Sequence, residues 1–358
     1  MTYLRRIGMG LKKILLNYFD DDRQINLIAL QTSFFGLVLA LLYVSKFHKI
    51  ELIIIMTGLL MNSVMLSFNS SQYHPVQRIN YGLITSIASG IVYGIGCFAA
   101  NNIWLSTLCT LIILPWVIFS NQSHGLIAGL FLYTFEGFIL GSGMPATDLN
   151  TIIRYSLSYT FGGSLIVFSG IIRLFVLEKA GLNSNQKSII NNLPYLEINI
   201  HKIAYNIIMI FTVVLCNYVS IHYHLTNGYW LPLTAFLIIK SNHALSISRI
   251  TLRIIGTLIG GGVALACCLL IHSQLIFALM IFPVFYLTVI AVSRHYGSFT
   301  ALITLSVLLI IALMRNETIY KIEYRVIYTL FAVLIVMLFL YILKFILTKT
   351  SVAFNKLY

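Results

Sequence analysis

Long apolar segments separated by short polar connections recur along the chain from Asn26 to Leu347. Each segment approaches the roughly 20 residues that a helix needs to cross a bilayer. The pattern predicts twelve helical spans in two groups of six, at residues 26–44, 50–68, 79–98, 102–119, 125–142 and 152–176, and at 203–222, 228–240, 249–271, 274–292, 297–314 and 325–347. The predicted fold class is therefore all-α, a polytopic membrane protein.

The eighth predicted span, at residues 228–240, is too short to cross a bilayer alone. One interpretation lengthens it with residues from Tyr218 onward. The other makes it a broken helix that lines a cavity, because irregular backbone is tolerated in a membrane only where protein or water satisfies its polar groups. The sequence leaves both open.

Composition supports the membrane class and suggests how the chain divides. Hydrophobic residues make up 59% of the chain and charged residues only 9%, whereas soluble domains carry about 25% charged residues. The predicted parts are a basic amphipathic N-terminal segment on the cytoplasmic leaflet (1–25), a first six-span repeat (26–177), a cytoplasmic connector (178–202), a second six-span repeat (203–347) and a cytoplasmic tail (348–358).

The distribution of charge predicts orientation rather than a charged partner. Most lysines and arginines fall on one side of the predicted spans, and cytoplasmic loops are the ones enriched in these residues. Both termini are therefore predicted on the cytoplasmic side of a bacterial inner membrane. The formal net charge of +13 is assigned to this asymmetry, and no nucleic-acid partner is predicted.

Motifs for catalysis, metals and cofactors are missing from the sequence. The five cysteines show neither CxxC nor metal-ligand spacing, so no disulfide framework and no metal site are predicted. No nucleotide motif, paired carboxylates or Ser/His/Asp set stands out. We therefore expect a protein that is not an enzyme and has no cofactor.

The two groups of spans resemble each other in sequence. A shift of 171 residues superposes Arg78 on Arg249 and His124 on His295. It also superposes Arg154 on Arg325. Six spans per group is an even number, so the repeats are predicted to be parallel, related by a pseudo-two-fold axis along the membrane normal. Such repeats usually hold the transported ligand at their interface.

A stretch of about 40 residues carries a more specific pattern, an aromatic pair, a polar turn and two arginines followed by glycines. Its residues are Tyr229, Trp230, Leu233, Thr234, Ser241, Arg249, Arg253, Gly256, Thr257 and Gly260. This pattern resembles the fusaric acid resistance family of membrane proteins. The resemblance implies a relationship to bacterial exporters of aromatic acids and to the aluminium-activated malate channels of plants.

Basic residues near the predicted cytoplasmic ends are candidates for anion binding. Arg249 and Arg253 stand four residues apart and share a helix face, with Arg78 in the equivalent place of the first repeat and Lys240 in the turn before. A guanidinium fork binds a carboxylate through two parallel hydrogen bonds. The alternative is that these arginines reach toward lipid headgroups and anchor their helices.

Arg154 and Arg325 form a second candidate pair, near the outer ends of spans 6 and 12. Arginines on the outer side of a membrane are unusual, because lysine and arginine are enriched in cytoplasmic loops. Two interpretations stay open, an exit site for the anion and an ion pair with Asp148 or Glu323.

Three further titratable residues are candidates for control of transport. Glu136 is the only acidic residue well inside a predicted span, and ionisable groups at that depth commonly mark functional sites. It is a candidate for proton coupling, or for a neutral hydrogen bond to a neighbouring helix. His124 and His295 are candidates for pH-sensitive gating, with interfacial packing as the alternative.

These observations favour a secondary transporter that exports a small organic anion, an aromatic or other carboxylate, along a pathway between the repeats. A channel-like anion conduit, an uptake permease for a carboxylate-type metallophore and a non-transporting accessory protein are the alternatives. The expected partners are the small organic anion and the lipid bilayer. A homodimer and accessory efflux proteins are left open.

Overall fold

The computed structural model describes residues 23–45, 49–68, 75–120, 126–179, 200–239, 243–314 and 318–355. Within these ranges the chain is all-helical, as the apolar pattern predicts. The predicted N-terminal segment and most of the connector lie outside the described residues.

Twelve helices follow one another in the described part of the chain, and each overlaps one predicted span. The first six are α1 Arg23–Ser45, α2 Ile50–Phe68, α3 Pro75–Ala99, α4 Ile103–Ser120, α5 Leu126–Ser142 and α6 Leu149–Lys179. The second six are α7 Ile200–His222, α8 Trp230–Ile238, α9 His243–Leu270, α10 Gln274–Val292, α11 Tyr296–Leu313 and α12 Thr318–Asn355.

The outer faces of these helices are apolar. Nine helices in the described ranges are long and apolar enough to cross a membrane. Large apolar side chains are exposed along them, among them Phe34 at 57% and Leu270 at 80%. A soluble protein rarely exposes such continuous apolar surface, so the chain is a multi-pass membrane protein.

Helix α8 is short, with 9 residues from Trp230 to Ile238. It does not continue α7, because the chain turns between them with positive φ at His224 and Asn227, a conformation that asparagine tolerates better than most residues. At its other end Ile239 is already extended. The eighth apolar segment is therefore a broken helix, the second of the two interpretations, and its buried side chains point into the protein.

The same helix pairs recur in both groups of six. In the first group α3 packs against α5 and α6, and α2 against α6. In the second group α9 packs against α11 and α12, and α8 against α12. Between the groups, α1 packs against α10 and α4 against α7, so the first helix of each group contacts the fourth helix of the other.

Glycines allow close contacts between the main helix pairs. A Cβ at Gly260 of α9 would collide with the backbone carbonyl of Ala301 in α11, and one at Gly96 of α3 would meet the carbonyl of Phe138 in α5. Small residues let helix backbones approach in this way inside membranes. Gly256 of α9 also faces α11, where a Cβ would lie 2.9 Å from the carbonyl oxygen of Gly297.

Candidate functional site

A cavity lies between the two groups of helices. Its walls come from α2 and α5 of the first group and from α8 and α11 of the second, and they are mostly Leu, Val, Ile and aromatic side chains. Its empty space, counting the part open to the outside, is about 570 Å³. Three charged residues reach its lining, Glu136, Arg253 and Arg325.

Arg253 enters the cavity from α9. Its side chain is 1% exposed, and within the described ranges its Nε and Nη1 have no hydrogen-bond partner. Five N–H donors fixed in a plane make an arginine a natural ligand for a carboxylate. The sequence predicted a cationic mouth at this position, whereas the structure buries the guanidinium against the cavity.

Arg325 reaches the same cavity from α12. It is 4% exposed, and its guanidinium carbon lies 5.1 Å from the centre of the Trp230 ring. Its Nε and Nη1 also find no hydrogen-bond partner in the described part of the chain. A cation over an indole face is stabilised by the ring quadrupole, but that contact leaves the N–H donors unused.

Glu136 faces these two arginines from the middle of α5 and is 6% exposed. The described ranges contain one ion pair, and it does not involve Glu136. The carboxylate therefore shares a cavity with Arg253 and Arg325 without forming a contact ion pair with either. Val307, its counterpart in the repeat, lines the same cavity from α11.

Arg154 differs from Arg325 despite the matching positions. Its side chain is 62% exposed and lies 3.5 Å from Glu51, at Nη1 and Oε1. The sequence offered Asp148 or Glu323 as partner, but α2 packs against α6 and brings Glu51 beside Arg154. Arg325 has no such carboxylate because the residue equivalent to Glu51 in the repeat is His222.

Asp148 has a different role from the predicted ion pair. Its Oδ2 accepts a hydrogen bond of 2.8 Å from the backbone N–H of Thr151. Hydrogen bonds from Thr151 lower the pKa of the Asp148 carboxyl. Asp148 thus caps the first turn of α6.

Arg249 and Arg78 lie outside the cavity lining. Arg249 lies one turn before Arg253 on α9. Its guanidinium carbon is 4.5 Å from the centre of the Tyr296 ring. Arg78 is buried near the start of α3. The sequence assigned Arg253 to the cytoplasmic side and Arg325 to the outer side, but the structure brings the two together at one cavity. It also separates Arg253 from Arg249, which does not line the cavity.

The remaining candidates from the sequence are Lys240, His124 and His295. Lys240 and His124 lie outside the described residues. His295 precedes α11, where its Nδ1 accepts a hydrogen bond of 3.4 Å from the backbone N–H of Ser298. That contact caps the helix, and the predicted gating role of the two histidines stays a prediction.

Among the described residues, the first group of helices has no pair of buried arginines that corresponds to Arg253 and Arg325 in the cavity, which we call the arginine cavity. Gly82 stands where the second group has Arg253. The Nδ2 of Asn62 donates to the hydroxyl of Ser86 at 2.7 Å and to the carbonyl of Gly163 at 2.6 Å, joining α2, α3 and α6. The charged site is therefore asymmetric between the two groups.

An all-helical fold with apolar outer faces and a buried cationic cavity defines a multi-pass membrane protein. Residues 207–339 match the family model described as fusaric acid resistance protein-like. This match confirms the predicted resemblance to that family over a range that includes Trp230, Arg253 and Arg325, and it supports the transport and efflux class. No curated protein and no solved structure gives a significant match to the chain.

Proposed function

We propose that the protein is a secondary transporter that exports a small aromatic carboxylate across a bacterial inner membrane. The observation that carries the proposal is the pair of buried arginines, Arg253 and Arg325, which line one cavity and whose Nε and Nη1 have no hydrogen-bond partner among the described residues. Burying an unpaired charge in a membrane protein is costly. An anion that binds both guanidinium groups would offset that cost.

The chemistry of the walls favours an aromatic ligand over a fully polar one. Trp230, Tyr133 and Phe299 line the cavity together with aliphatic side chains, and pockets of this kind hold an apolar body with a few polar groups fixing its orientation. With Glu136 ionised, the three charges of the cavity sum to one positive charge, which one carboxylate would neutralise. Fusaric acid, from which the matched family takes its description, is itself an aromatic carboxylic acid.

The path would run between two parallel six-helix repeats, with twelve crossings and both termini in the cytoplasm. The recurrence of the same helix pairs in both groups supports this arrangement, as does the symmetric contact of α1 with α10 and α4 with α7. Arg249 and Arg78 would then lie toward the cytoplasmic ends of their helices. There they would attract an anion before it reaches the cavity.

Glu136 would couple the anion to a proton. The titratable or charged groups that interact with it are Tyr133, Tyr159, Arg253 and Arg325. A proton on Glu136 would leave the arginines with no competing negative charge, so it would strengthen anion binding. By linkage the bound anion would favour the proton, and the two would cross together.

Because the anion and the proton would move in the same direction, uptake is the second candidate function. An inward proton gradient would draw the anion into the cell, as the uptake permease in the alternative would require. Export coupled to one proton per carboxylate would move no net charge, so it would be driven by the concentration gradient of the anion against the inward proton gradient. Under an imposed anion gradient, protons that move with the anion indicate symport and favour uptake in the cell, whereas protons that move against the anion, or no proton movement, favour export.

Flux into proteoliposomes tests the proposal. Radiolabelled para-aminohippurate is a suitable probe, because it is an aromatic monocarboxylate that crosses lipid slowly. We expect saturable flux and counterflow, inhibited by benzoate but not by its neutral analogue benzamide, and lost in Arg253→Gln. Flux without saturation or counterflow would support a channel. No flux above protein-free liposomes would contradict the proposal.

A further inference from the structure

Threonine hydroxyls next to the arginine cavity lack the bond that threonines elsewhere in the structure make. A threonine in a helix commonly donates to the carbonyl four residues earlier. Thr85, Thr212, Thr288 and Thr300 do so at 2.6 to 2.8 Å. In the described ranges, three buried threonine hydroxyls have no hydrogen-bond partner: Thr234, Thr257 and Thr304. We refer to these residues as the threonine trio.

The threonine trio is buried as deeply as any residue of the protein. Thr234 and Thr304 are 0% exposed and Thr257 is 1% exposed. A buried hydroxyl without a partner costs on the order of 1–3 kcal/mol, and inside a membrane the surroundings offer no water as a substitute. Three such groups on three neighbouring helices therefore indicate a ligand that supplies acceptors.

Each member lies one residue or one helix turn from a residue of the cavity lining, and none of the three is itself in that lining. Thr257 is one turn after Arg253 on α9, and Thr234 is one turn after Trp230 on α8, so each pair shares a helix face. Thr304 follows the lining residue Ile303 on α11. Its side chain contacts the position of Gly260, three residues beyond Thr257.

We propose that the threonine trio completes the anion site, with its hydroxyls donating hydrogen bonds to the carboxylate that Arg253 and Arg325 attract. This inference rests on the proposed function, because the carboxylate is the substrate assigned there. The arginines supply charge, and the hydroxyls supply neutral donors that fix the position of the carboxylate oxygens. Neither the helix pattern nor the charge pattern assigns them this role.

Calorimetric titration of benzoate into the protein in lipid nanodiscs tests the inference. We expect Thr234→Val, Thr257→Val and Thr304→Val each to raise the Kd for benzoate about tenfold, the effect of losing a hydrogen bond to a charged group. The corresponding serine variants, which keep the hydroxyl, should bind nearly as well as the unmodified protein. Thr300→Val is the matched control, because that hydroxyl already bonds to the carbonyl of Tyr296.

Thermal unfolding without benzoate shows whether the hydroxyls are structural instead. Loss of a hydroxyl that has no partner in the empty protein should leave the Tm unchanged or raise it. An unchanged Kd in all three valine variants, or an equal loss of affinity in Thr300→Val, would overturn the inference while the unmodified protein still binds benzoate. A lowered Tm with unchanged Kd would assign the hydroxyls to structural water. Absence of benzoate binding to the unmodified protein would overturn the proposed function, and this inference with it.

Discussion

Replacement of Arg325 by methionine separates a binding role from a structural one. Arg325 is 4% exposed, and its Nε and Nη1 have no hydrogen-bond partner among the described residues. Exchange of buried charged groups for apolar residues of similar volume is often neutral or stabilises a protein by about 1–4 kcal/mol. The exchange also removes the contact between the guanidinium carbon and the Trp230 ring at 5.1 Å. A cation–π contact of this kind stabilises a desolvated site by about 2 kcal/mol.

The two effects nearly cancel in the empty protein. Stability should therefore change by between a loss of about 2 and a gain of about 2 kcal/mol in Arg325→Met. Anion binding should fall much further, because lost hydrogen bonds to a charged group cost about 1.5–3 kcal/mol, roughly tenfold to a hundredfold in Kd. A variant that is as stable as the original and no longer binds anions is the expected outcome.

Thermal unfolding and benzoate titration of purified protein measure both quantities. Arg154→Met is the matched control, since Arg154 holds the equivalent position in the repeat but is exposed and paired with Glu51. It should keep the affinity for benzoate and lose at most about 1 kcal/mol of stability. Strong destabilisation of Arg325→Met with unchanged affinity would refute the reasoning and make the guanidinium a helix anchor.

Three further changes test other parts of the account. Glu136→Gln should reduce para-aminohippurate flux driven by a pH gradient and preserve counterflow, because it removes the proton site and keeps a polar side chain; equal losses in both would make Glu136 structural. Gly260→Leu should lower the Tm through overpacking against Ala301, at a cost of about 1–3 kcal/mol, whereas Gly262→Leu, which meets nothing within 4 Å, should not; equal effects would argue against the close helix contact. Arg249→Ala should abolish flux in a folded protein and Arg249→Lys should restore it in part, since lysine keeps the charge and loses the fork; loss of folded protein alongside loss of flux would favour anchoring.

The helices themselves were predictable from the sequence because lipid demands long apolar segments with internally bonded backbones. Even the short eighth helix follows from the length of its apolar segment, although its separation from α7 depends on the positive φ values at His224 and Asn227. How deeply each side chain is buried in the protein was not predictable from the sequence. Arg325 is a clear case, since its placement depends on how α8 presents Trp230.

The repeat pattern was informative about helix pairs and misleading about side chains. It matched Arg325 with Arg154, but only Arg154 has a carboxylate beside it, because Glu51 has no acidic counterpart. Likewise the pattern gave no sign that Asn62 joins three helices of the first group, whereas its repeat counterpart Leu233 lines the cavity. Polar contacts between helices depend on neighbours that are distant in sequence, so periodicity does not reveal them.

The threonine trio shows the same limit. Thr234 and Thr257 belong to the family pattern, yet a threonine in a helix ordinarily bonds to its own backbone. Only the arrangement of neighbouring helices distinguishes them from Thr300.

The central claim is that a carboxylate binds between the two groups of helices at Arg253 and Arg325. Anomalous scattering from crystals containing para-iodobenzoate would locate the ligand directly, because the anomalous signal of iodine distinguishes the ligand from lipid and solvent density. The account predicts an iodine peak inside the cavity near Trp230 and Phe299, with the carboxylate directed at both guanidinium groups. A fully occupied iodine peak elsewhere in the protein, with the cavity empty, would contradict it.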